Sequence, residues 1–145
     1  DNVLQGDYNV FILRDWKFSG KKMREQTEWF LKNRTENDLV VFFCKTDKIS
    51  ISIQNKVIRY LGTYESMVEV IRVLKSSKKI YSSRYHGIVM AIALDKECEV
   101  FPIDEKLSRI NDYLLSKPDD HEVYINLSDG EGIANSYARI VQEYI

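Results

Sequence analysis

The chain has 145 residues, of which 44% are hydrophobic and 30% charged, and its formal net charge at pH 7 is −1. A chain of this length can bury roughly 68–70% of the surface that its unfolded form exposes, so it needs neither disulfides nor a metal to fold as one domain. The balanced charge excludes a general attraction to nucleic acid or to an anionic membrane. Any anion-binding site therefore has to be built locally.

The sequence also argues against a secreted or membrane-spanning chain. The longest apolar run, residues 87–94, is far shorter than the roughly 20 residues that a membrane-spanning helix requires. The first residues lack the basic and apolar regions of a signal peptide. Cys44 and Cys98 lie in apolar, strand-like runs, where reduced and buried thiols are expected. The expected location is the cytoplasm.

Short β-rich runs alternate with segments of helical periodicity along the chain. The predicted strands are residues 8–13, 39–44, 57–61, 79–82, 99–103 and 122–127. Between them, residues 22–32 form a predicted helix with four inward side chains, Met23, Thr27, Phe30 and Leu31. Residues 63–75 form a second, with Thr63 as its cap and an apolar stripe of Met67, Val68, Ile71 and Leu74. Residues 51–54 suit either a short strand or a helical remnant.

Three more helices are predicted in the second half of the chain. Residues 87–94 are apolar on nearly every face, which is typical of a buried helix. A short helix carries Leu107, Ile110 and Leu114, and a last one carries Ile133, Tyr137, Ile140, Val141 and Tyr144. Strands that alternate with helices at this spacing predict a three-layer α/β, Rossmann-like domain with a mostly parallel sheet. Residues 1–145 are expected to form a single such domain.

Unusual polar residues follow the predicted strands. Arg14 follows the first strand, Lys45 the second and Lys106 the fifth, while Arg84 and His86 follow the fourth. In open parallel α/β sheets, ligands bind beyond the carboxyl ends of the strands. The loops are therefore expected to bring several cationic groups to one edge of the sheet.

The stretch SSRYHG, residues 82–87, opens the buried helix and suggests how an anion could bind. A helix start offers unpaired N–H groups and the positive end of the helix dipole. Ser82 or Ser83 could cap this helix, while Arg84 could bind a carboxylate or phosphate through two hydrogen bonds. Gly87 would let the backbone approach the ligand, and His86 could exchange a proton. The simpler alternative is that Arg84 and His86 pair with carboxylates of the protein, and that Arg14 is an ordinary surface ion-pair partner.

These residues resemble the carboxy-terminal half of the polysaccharide pyruvyl transferase family. The family has a strand that ends in Arg, matched here by FILRDW, residues 11–16. It has an S-x-R-x-H-(G/A) element at the start of an apolar helix, matched by residues 82–87, and an acidic-x-Lys turn after the next strand, matched by FPIDEK, residues 101–106. Order and spacing agree over roughly residues 8–115.

The resemblance implies a GT-B-like architecture, with this chain as the C-terminal domain and a missing N-terminal domain of similar size as its partner. It implies transfer of the pyruvyl group of phosphoenolpyruvate, as a ketal, onto a sugar of a cell-envelope or exopolysaccharide precursor, free or lipid-linked. Arg14, Arg84 and His86 match the donor-binding and catalytic positions, and Lys106 matches a weaker one. No cofactor or metal is implied, and the enzyme would lie in the cytoplasm or peripherally at the inner face of the membrane.

Three other interpretations remain open from the residues. A GT-B glycosyltransferase that uses a nucleotide sugar would share the fold and an anionic donor. A phospho-acceptor receiver domain also places Ser after strand four and Lys after strand five, but here the third strand ends without the required Asp. A non-catalytic ligand-binding or interaction domain would have the same pattern.

Overall fold

The computed structural model describes residues 7–49 and 55–116. Its five strands are β1 (Val10–Leu13), β2 (Leu39–Phe42), β3 (Val57–Arg59), β4 (Ile80–Ser82) and β5 (Cys98–Val100). Its four helices are α1 (Gly20–Asn33), α2 (Tyr64–Ser76), α3 (Tyr85–Ala93) and α4 (Glu105–Leu115). Each predicted strand and helix within these residues is present, and the strands are shorter than predicted. The strand expected at residues 122–127, the last helix and residues 51–54 lie outside the described residues.

The strands form one parallel sheet in the order β3-β2-β1-β4-β5. The central strand β1 pairs with β2 on one side, Val10 opposite Leu39, and with β4 on the other, Val10 opposite Ile80. The strand order reverses at β1, so the connections to its two neighbours run to opposite sides of the sheet. This arrangement confirms the predicted α/β, Rossmann-like fold and makes the carboxyl ends of β1 and β4 its switch point.

Helices cover both faces of the sheet. Every residue of β1 and β2 is buried, as expected for central strands of a parallel sheet that is covered on both faces. Val10, Ile12 and Val41 pack against α2 and α3, whereas Phe11 and Leu13 pack with Phe30 of α1. A third cluster joins α3 to α4 and β5. The domain is therefore built of three layers.

Local sequence signals explain where three of the helices begin. The hydroxyl of Ser19 accepts a hydrogen bond from the N–H of Lys22 at the start of α1. Thr63 and Ser66 form a reciprocal capping box at the start of α2, which confirms the predicted cap. The carboxylate of Asp104 accepts from the N–H of Leu107 at the start of α4. Such caps satisfy N–H groups that a helix leaves unpaired.

Several predictions about burial and capping were wrong. Leu31 was expected to face inward but is 54% exposed, because it lies on the outer face of α1. Cys44 is exposed rather than buried, because β2 ends at Phe42 and leaves the thiol in the following loop. Cys98 is only partly buried, and both cysteines are free thiols. The N-cap of α3 is Arg84 itself, and in the described residues no side chain caps it, so neither Ser82 nor Ser83 is the cap.

In the described ranges, 7–49 and 55–116, no helix has the length and apolar character needed to cross a membrane.

Candidate functional site

A cleft of about 710 Å³ opens at the switch point of the sheet. Its walls come from the loops that follow β1, β2, β4 and β5, so four strands deliver side chains to it. Its lining contains four cationic side chains, Arg14, Lys17, Lys22 and Arg84, and three carboxylates, Asp15, Asp47 and Asp104. The lining thus carries one more positive than negative charge, and the cleft lies where open parallel α/β sheets bind ligands.

Arg14 and Arg84 reach this cleft from adjacent strands. Arg14 follows the last residue of β1, and Arg84 lies two residues beyond β4, which pairs directly with β1. Both side chains line the cleft, as the sequence predicted from the carboxyl ends of the strands. Parallel pairing is what brings these residues, 70 positions apart in the sequence, to the same edge.

The guanidinium of Arg84 is paired with a carboxylate of the protein. Its Nη2 donates to both oxygens of Asp47, at 3.0 and 2.8 Å. The side chains of Arg84 and Asp47 are only 19% and 4% exposed. Nη2 also lies 3.4 Å from the thiol sulfur of Cys44, whereas Nε is buried and lacks a hydrogen-bond partner within the part of the chain that the structure describes. Arg84 is thus held firmly, but its donor capacity is only partly used.

Asp47 is itself fixed from two further directions. Its Oδ1 accepts a hydrogen bond from the backbone N–H of Asp15 at 3.3 Å. Its backbone carbonyl accepts one from the guanidinium of Arg59 at 2.6 Å. Asp15 in turn accepts from the backbone N–H of Lys48 at 3.1 Å. The loop after β2 is therefore tied to the loops after β1 and β4 and to the last residue of β3, and this network sets the position of Arg84.

Gln26 of α1 fixes the backbone of Arg14 by hydrogen bonds to its N–H and its carbonyl. It is 1% exposed, and its amide nitrogen donates to the carbonyl of Arg14 at 2.8 Å. Its amide oxygen accepts from the N–H of Arg14 and from the indole nitrogen of Trp16, both at 3.1 Å, and from the hydroxyl of Ser83. One buried amide therefore joins the chain after β1 to the chain after β4. A buried side chain with this many partners is costly to remove.

The exposed side chain of Arg14 rests on an aromatic ring. Its guanidinium carbon lies 4.4 Å from the centroid of a Trp16 ring, and the ammonium of Lys22 lies 4.9 Å from it. Trp16 is 7% exposed and belongs to the core that α3 and α4 share. A rigid ring in contact with two cations restricts where their charges lie.

Ser82, Ser83 and Gly87 serve the packing of this region. The hydroxyl of Ser82 accepts from the N–H of Arg84 at 2.9 Å and donates to its carbonyl at 2.8 Å, so it shapes the turn into α3. Ser82 and Ser83 are both fully buried. A Cβ on Gly87 would lie 2.2 Å from the Ser82 hydroxyl and 2.9 Å from Ile12 Cδ1. Glycine at this position lets α3 lie directly on β4 and β1.

His86 and Lys106 lie at the same edge of the sheet but outside the lining of the cleft. His86 is half-buried in the first turn of α3, with its ring edge-on to that of Tyr85 at a centroid distance of 5.5 Å. The ammonium of Lys106, in the first turn of α4, lies 4.2 Å from the centroid of the same Tyr85 ring. Tyr85 thus links the starts of α3 and α4.

The two thiols have different chemistry. Cys44 is exposed in the cleft beside Arg84. Burial raises the pKa of Cys98 to about 11, and the neighbouring charge of Glu97 adds to this effect. Because the thiolate is the reactive form, Cys98 is protected at neutral pH. In the two described ranges, no group of three or more His, Cys, Asp or Glu residues could hold a metal ion.

Sequence reasoning assigned no partner to two residues of this site, Asp47 and Gln26. Gln26 had a readable signal, because it stands between Met23 and Phe30 at the three- and four-residue spacing of the inward stripe of α1. A polar residue on such a stripe is expected to have buried partners. Asp47 follows the second strand, which places it at this edge, but nothing in the sequence marks it as the partner of Arg84, 37 residues away. Comparisons with family models, with curated proteins and with solved structures each gave no match.

Proposed function

We propose that this chain is the donor-binding domain of a pyruvyl transferase, which binds phosphoenolpyruvate in the switch-point cleft. The observation that carries the proposal is the convergence of Arg14 and Arg84 from neighbouring strands on one cleft at the carboxyl edge. Phosphoenolpyruvate has a carboxylate and a phosphate on one small framework. Two guanidinium groups held apart by a fixed scaffold match two such anionic groups.

Each arginine has a distinct part in this proposal. Arg14 is exposed and held over the Trp16 ring, so its guanidinium can bind one anionic group of an entering ligand. Arg84 is held by Asp47, and the donors that this pair leaves unused can bind the second anionic group. Lys17 and Lys22 add positive charge at the same cleft. The donor would therefore be recognised by charge and by the spacing of its two anionic groups.

Ketal formation requires proton transfers that His86 could serve. One sugar hydroxyl adds to C2 of the enol phosphate while C3 gains a proton and becomes a methyl group. A second hydroxyl then displaces the phosphate from C2, which gives the cyclic ketal and inorganic phosphate. Each hydroxyl loses its proton, and a single imidazole can deliver or accept one of these protons. His86 lies in the first turn of α3 at the same edge as the cleft but outside its lining, so this role requires its ring to turn toward the bound donor.

The sugar acceptor would approach from the open side of the cleft. In a GT-B-like enzyme that side faces a second domain, so a complete acceptor site would need the partner domain. Ser82, Ser83 and Gly87 would contribute by fixing the turn from which Arg84 projects, and Lys106 by fixing Tyr85 beside His86. The proposed location is the cytoplasm or the inner face of the membrane, where sugar precursors are assembled.

Isothermal calorimetry with phosphoenolpyruvate tests the donor site. Arg84→Ala should weaken binding by ~2–5 kcal/mol, the range for truncation of a buried charge partner, and Arg14→Ala should weaken it by less, because Arg14 is exposed. Arg84→Lys should not restore it fully, because an ammonium cannot reproduce the guanidinium fork. Arg109→Ala is the matched control: Arg109 pairs with Glu105 in α4 and its side chain is 71% exposed.

The same titrations separate the proposal from its rivals. Tighter binding of uridine or guanosine diphosphate than of phosphoenolpyruvate would favour a nucleotide-sugar glycosyltransferase. Equal affinity for phosphoenolpyruvate in wild type and both arginine variants would remove the proposed donor site. Where a sugar acceptor supports phosphate release, His86→Ala should lower turnover by ~10²–10⁴-fold and leave donor affinity nearly unchanged. Full turnover in that variant would remove His86 from the chemistry.

A further inference from the structure

Phe18 projects entirely into solvent beside the cleft. It is 101% exposed and immediately precedes Ser19, the N-cap of α1. An apolar residue at this position often packs against the fourth residue of the helix and so fixes the entry of the chain. Here that residue is Met23, whose sulfur instead accepts the N–H of Trp16 at 3.2 Å. Phe18 therefore contributes nothing to the packing of α1, and its exposure calls for another partner.

Cationic side chains surround Phe18. Lys17, Lys21, Arg24 and Lys48 are all exposed. Lys17 and Lys48 line one groove with Gly20, and Arg24 Nη1 would lie 3.4 Å from a Cβ placed on Gly20. Two segments of the chain, the start of α1 and the loop after β2, thus bring positive charge to the same place. We call Phe18 with these four cations the Phe18 patch.

The charge of the Phe18 patch is not explained by the stability of α1. The first turn of this helix contains Lys21 and Lys22 and no acidic residue. Cations at the start of a helix interact unfavourably with the positive end of its dipole, so Lys21 and Lys22 destabilise α1 slightly. Asp15, the acid in the groove, uses its carboxylate to accept the backbone N–H of Lys48. The patch therefore presents net positive charge around one apolar side chain.

We infer that the Phe18 patch docks this domain onto an anionic phospholipid surface. Lysine and arginine are attracted to anionic headgroups, and a projecting aromatic ring can enter the boundary between headgroups and acyl chains. A nucleic acid would instead favour aromatic rings that lie open for base stacking. Phe18 is the one open ring of this patch, because the neighbouring indole of Trp16 is 7% exposed and covered by Arg14 and Lys22. The patch therefore lacks the successive rings on which neighbouring bases would stack.

Docking would place the cleft at the bilayer surface, because Lys17 and Phe18 also form part of its lining. Should the proposed function hold, the sugar hydroxyls of a lipid-linked acceptor would reach the donor from the membrane side. The docking itself depends on residues other than Arg84 and His86. Its test is therefore independent of pyruvyl transfer.

Vesicle co-sedimentation of the whole chain tests the inference. The probes are vesicles of phosphatidylcholine mixed with phosphatidylglycerol, and vesicles of phosphatidylcholine alone. The wild-type chain should bind the first and not the second, and added salt should weaken binding. Phe18→Ala should lower the partition coefficient about tenfold. A double change of Lys17→Gln and Lys21→Gln should lower it about 25-fold, at roughly fivefold for each charge near the surface.

Two matched controls separate the patch from general surface properties. Leu31→Ala removes another exposed apolar side chain of α1, which is 54% exposed. Lys75→Gln with Lys78→Gln removes two exposed charges at the opposite edge of the sheet. Both controls should bind the anionic vesicles as the wild type does. Equal binding to neutral vesicles, unchanged binding of Phe18→Ala, or equal loss in the controls would overturn the inference. Tighter binding to duplex DNA than to anionic vesicles would also overturn it.

Discussion

Replacing Asp47 by Asn should destabilise the fold and yet strengthen anion binding. The carboxylate of Asp47 is 4% exposed in its side chain and contacts Nη2 of Arg84 through both oxygens, at 2.8 and 3.0 Å. Asn keeps the size of the side chain and an oxygen that can accept the N–H of Asp15. It removes the negative charge and turns the second oxygen into an amide nitrogen, which cannot accept from Nη2 of Arg84. The change in stability therefore includes one lost hydrogen bond, whereas the change in anion affinity reports the charge.

The loss of stability follows from the burial of the pair. Two unit charges about 4 Å apart attract by about 4 kcal/mol at an effective dielectric constant of about 20. Desolvation of both groups offsets part of this attraction, and Arg84 keeps 19% of its side chain in water. Asn still accepts a hydrogen bond from the guanidinium. The free energy of unfolding should therefore fall by about 1.5–3 kcal/mol, the range for a charged hydrogen bond.

The gain in affinity has the same origin. An anion bound on the other side of the Arg84 guanidinium would lie roughly 7 Å from the Asp47 carboxylate, which repels it by about 2 kcal/mol at the same dielectric constant. Because the cleft is open to solvent and salt, about half of this should be realised. Phosphoenolpyruvate should then bind Asp47→Asn about fivefold to tenfold more tightly than wild type.

Urea denaturation and calorimetry on the same preparation measure both quantities. The control is Asp112→Asn, an exposed carboxylate in α4, which should change stability by less than about 0.5 kcal/mol. An unchanged urea midpoint in Asp47→Asn would show that the ion pair does not stabilise the fold. Weaker binding of phosphoenolpyruvate would mean that Asp47 serves the ligand by orienting Arg84, and the repulsion argument would be refuted.

Three further predictions concern packing and reactivity. Gly87→Ala should lower the unfolding free energy by about 1–3 kcal/mol in urea, because its Cβ would lie 2.2 Å from the Ser82 hydroxyl; wild-type stability would contradict the close packing of α3. Gln26→Leu should lower the unfolding free energy by about 2–4 kcal/mol in the same assay, because it leaves several buried groups without a hydrogen-bond partner. A loss below about 1 kcal/mol, of order a single hydrogen bond, would refute this. Iodoacetamide at neutral pH should modify Cys44 rapidly and Cys98 slowly. Cys98 should become reactive only as the pH rises toward its pKa of about 11, where the thiolate forms. Equal rates of modification at the two thiols would contradict the burial of Cys98.

The burial of Cys98 also has a consequence for stability at high pH. Its pKa is about 11 in the folded chain and 9.0 as the ordinary value. Below pH 9 both states keep the proton, so this group does not change stability there. Between about pH 9 and 11 the unfolded chain loses the proton first, and the free energy of unfolding falls as pH rises. This contribution should be absent in Cys98→Ala.

The sequence by itself determined the fold class and the edge at which the site lies. Apolar runs such as VFIL and LVVF specify buried parallel strands, and the stripe of α2 behind Thr63 specifies a capped amphipathic helix. These signals are local, because strand burial and helix capping depend on residues a few positions apart. The placement of Arg14 and Arg84 at one edge follows from these local signals, because all strands of a parallel sheet end at the same edge and the residue after each strand lies there.

Only the tertiary structure decided what those residues contact. Asp47 pairs with Arg84, 37 positions further along the chain. Gln26 joins Arg14 to Ser83, and the contact between Gln26 and Ser83 spans 57 positions. No propensity or spacing encodes such partners, because they depend on which loops the sheet order brings together. The role of Gly87 has the same basis. The sequence marked it for the approach of a ligand, whereas the packed structure uses its missing Cβ to seat α3 on Ser82 and Ile12.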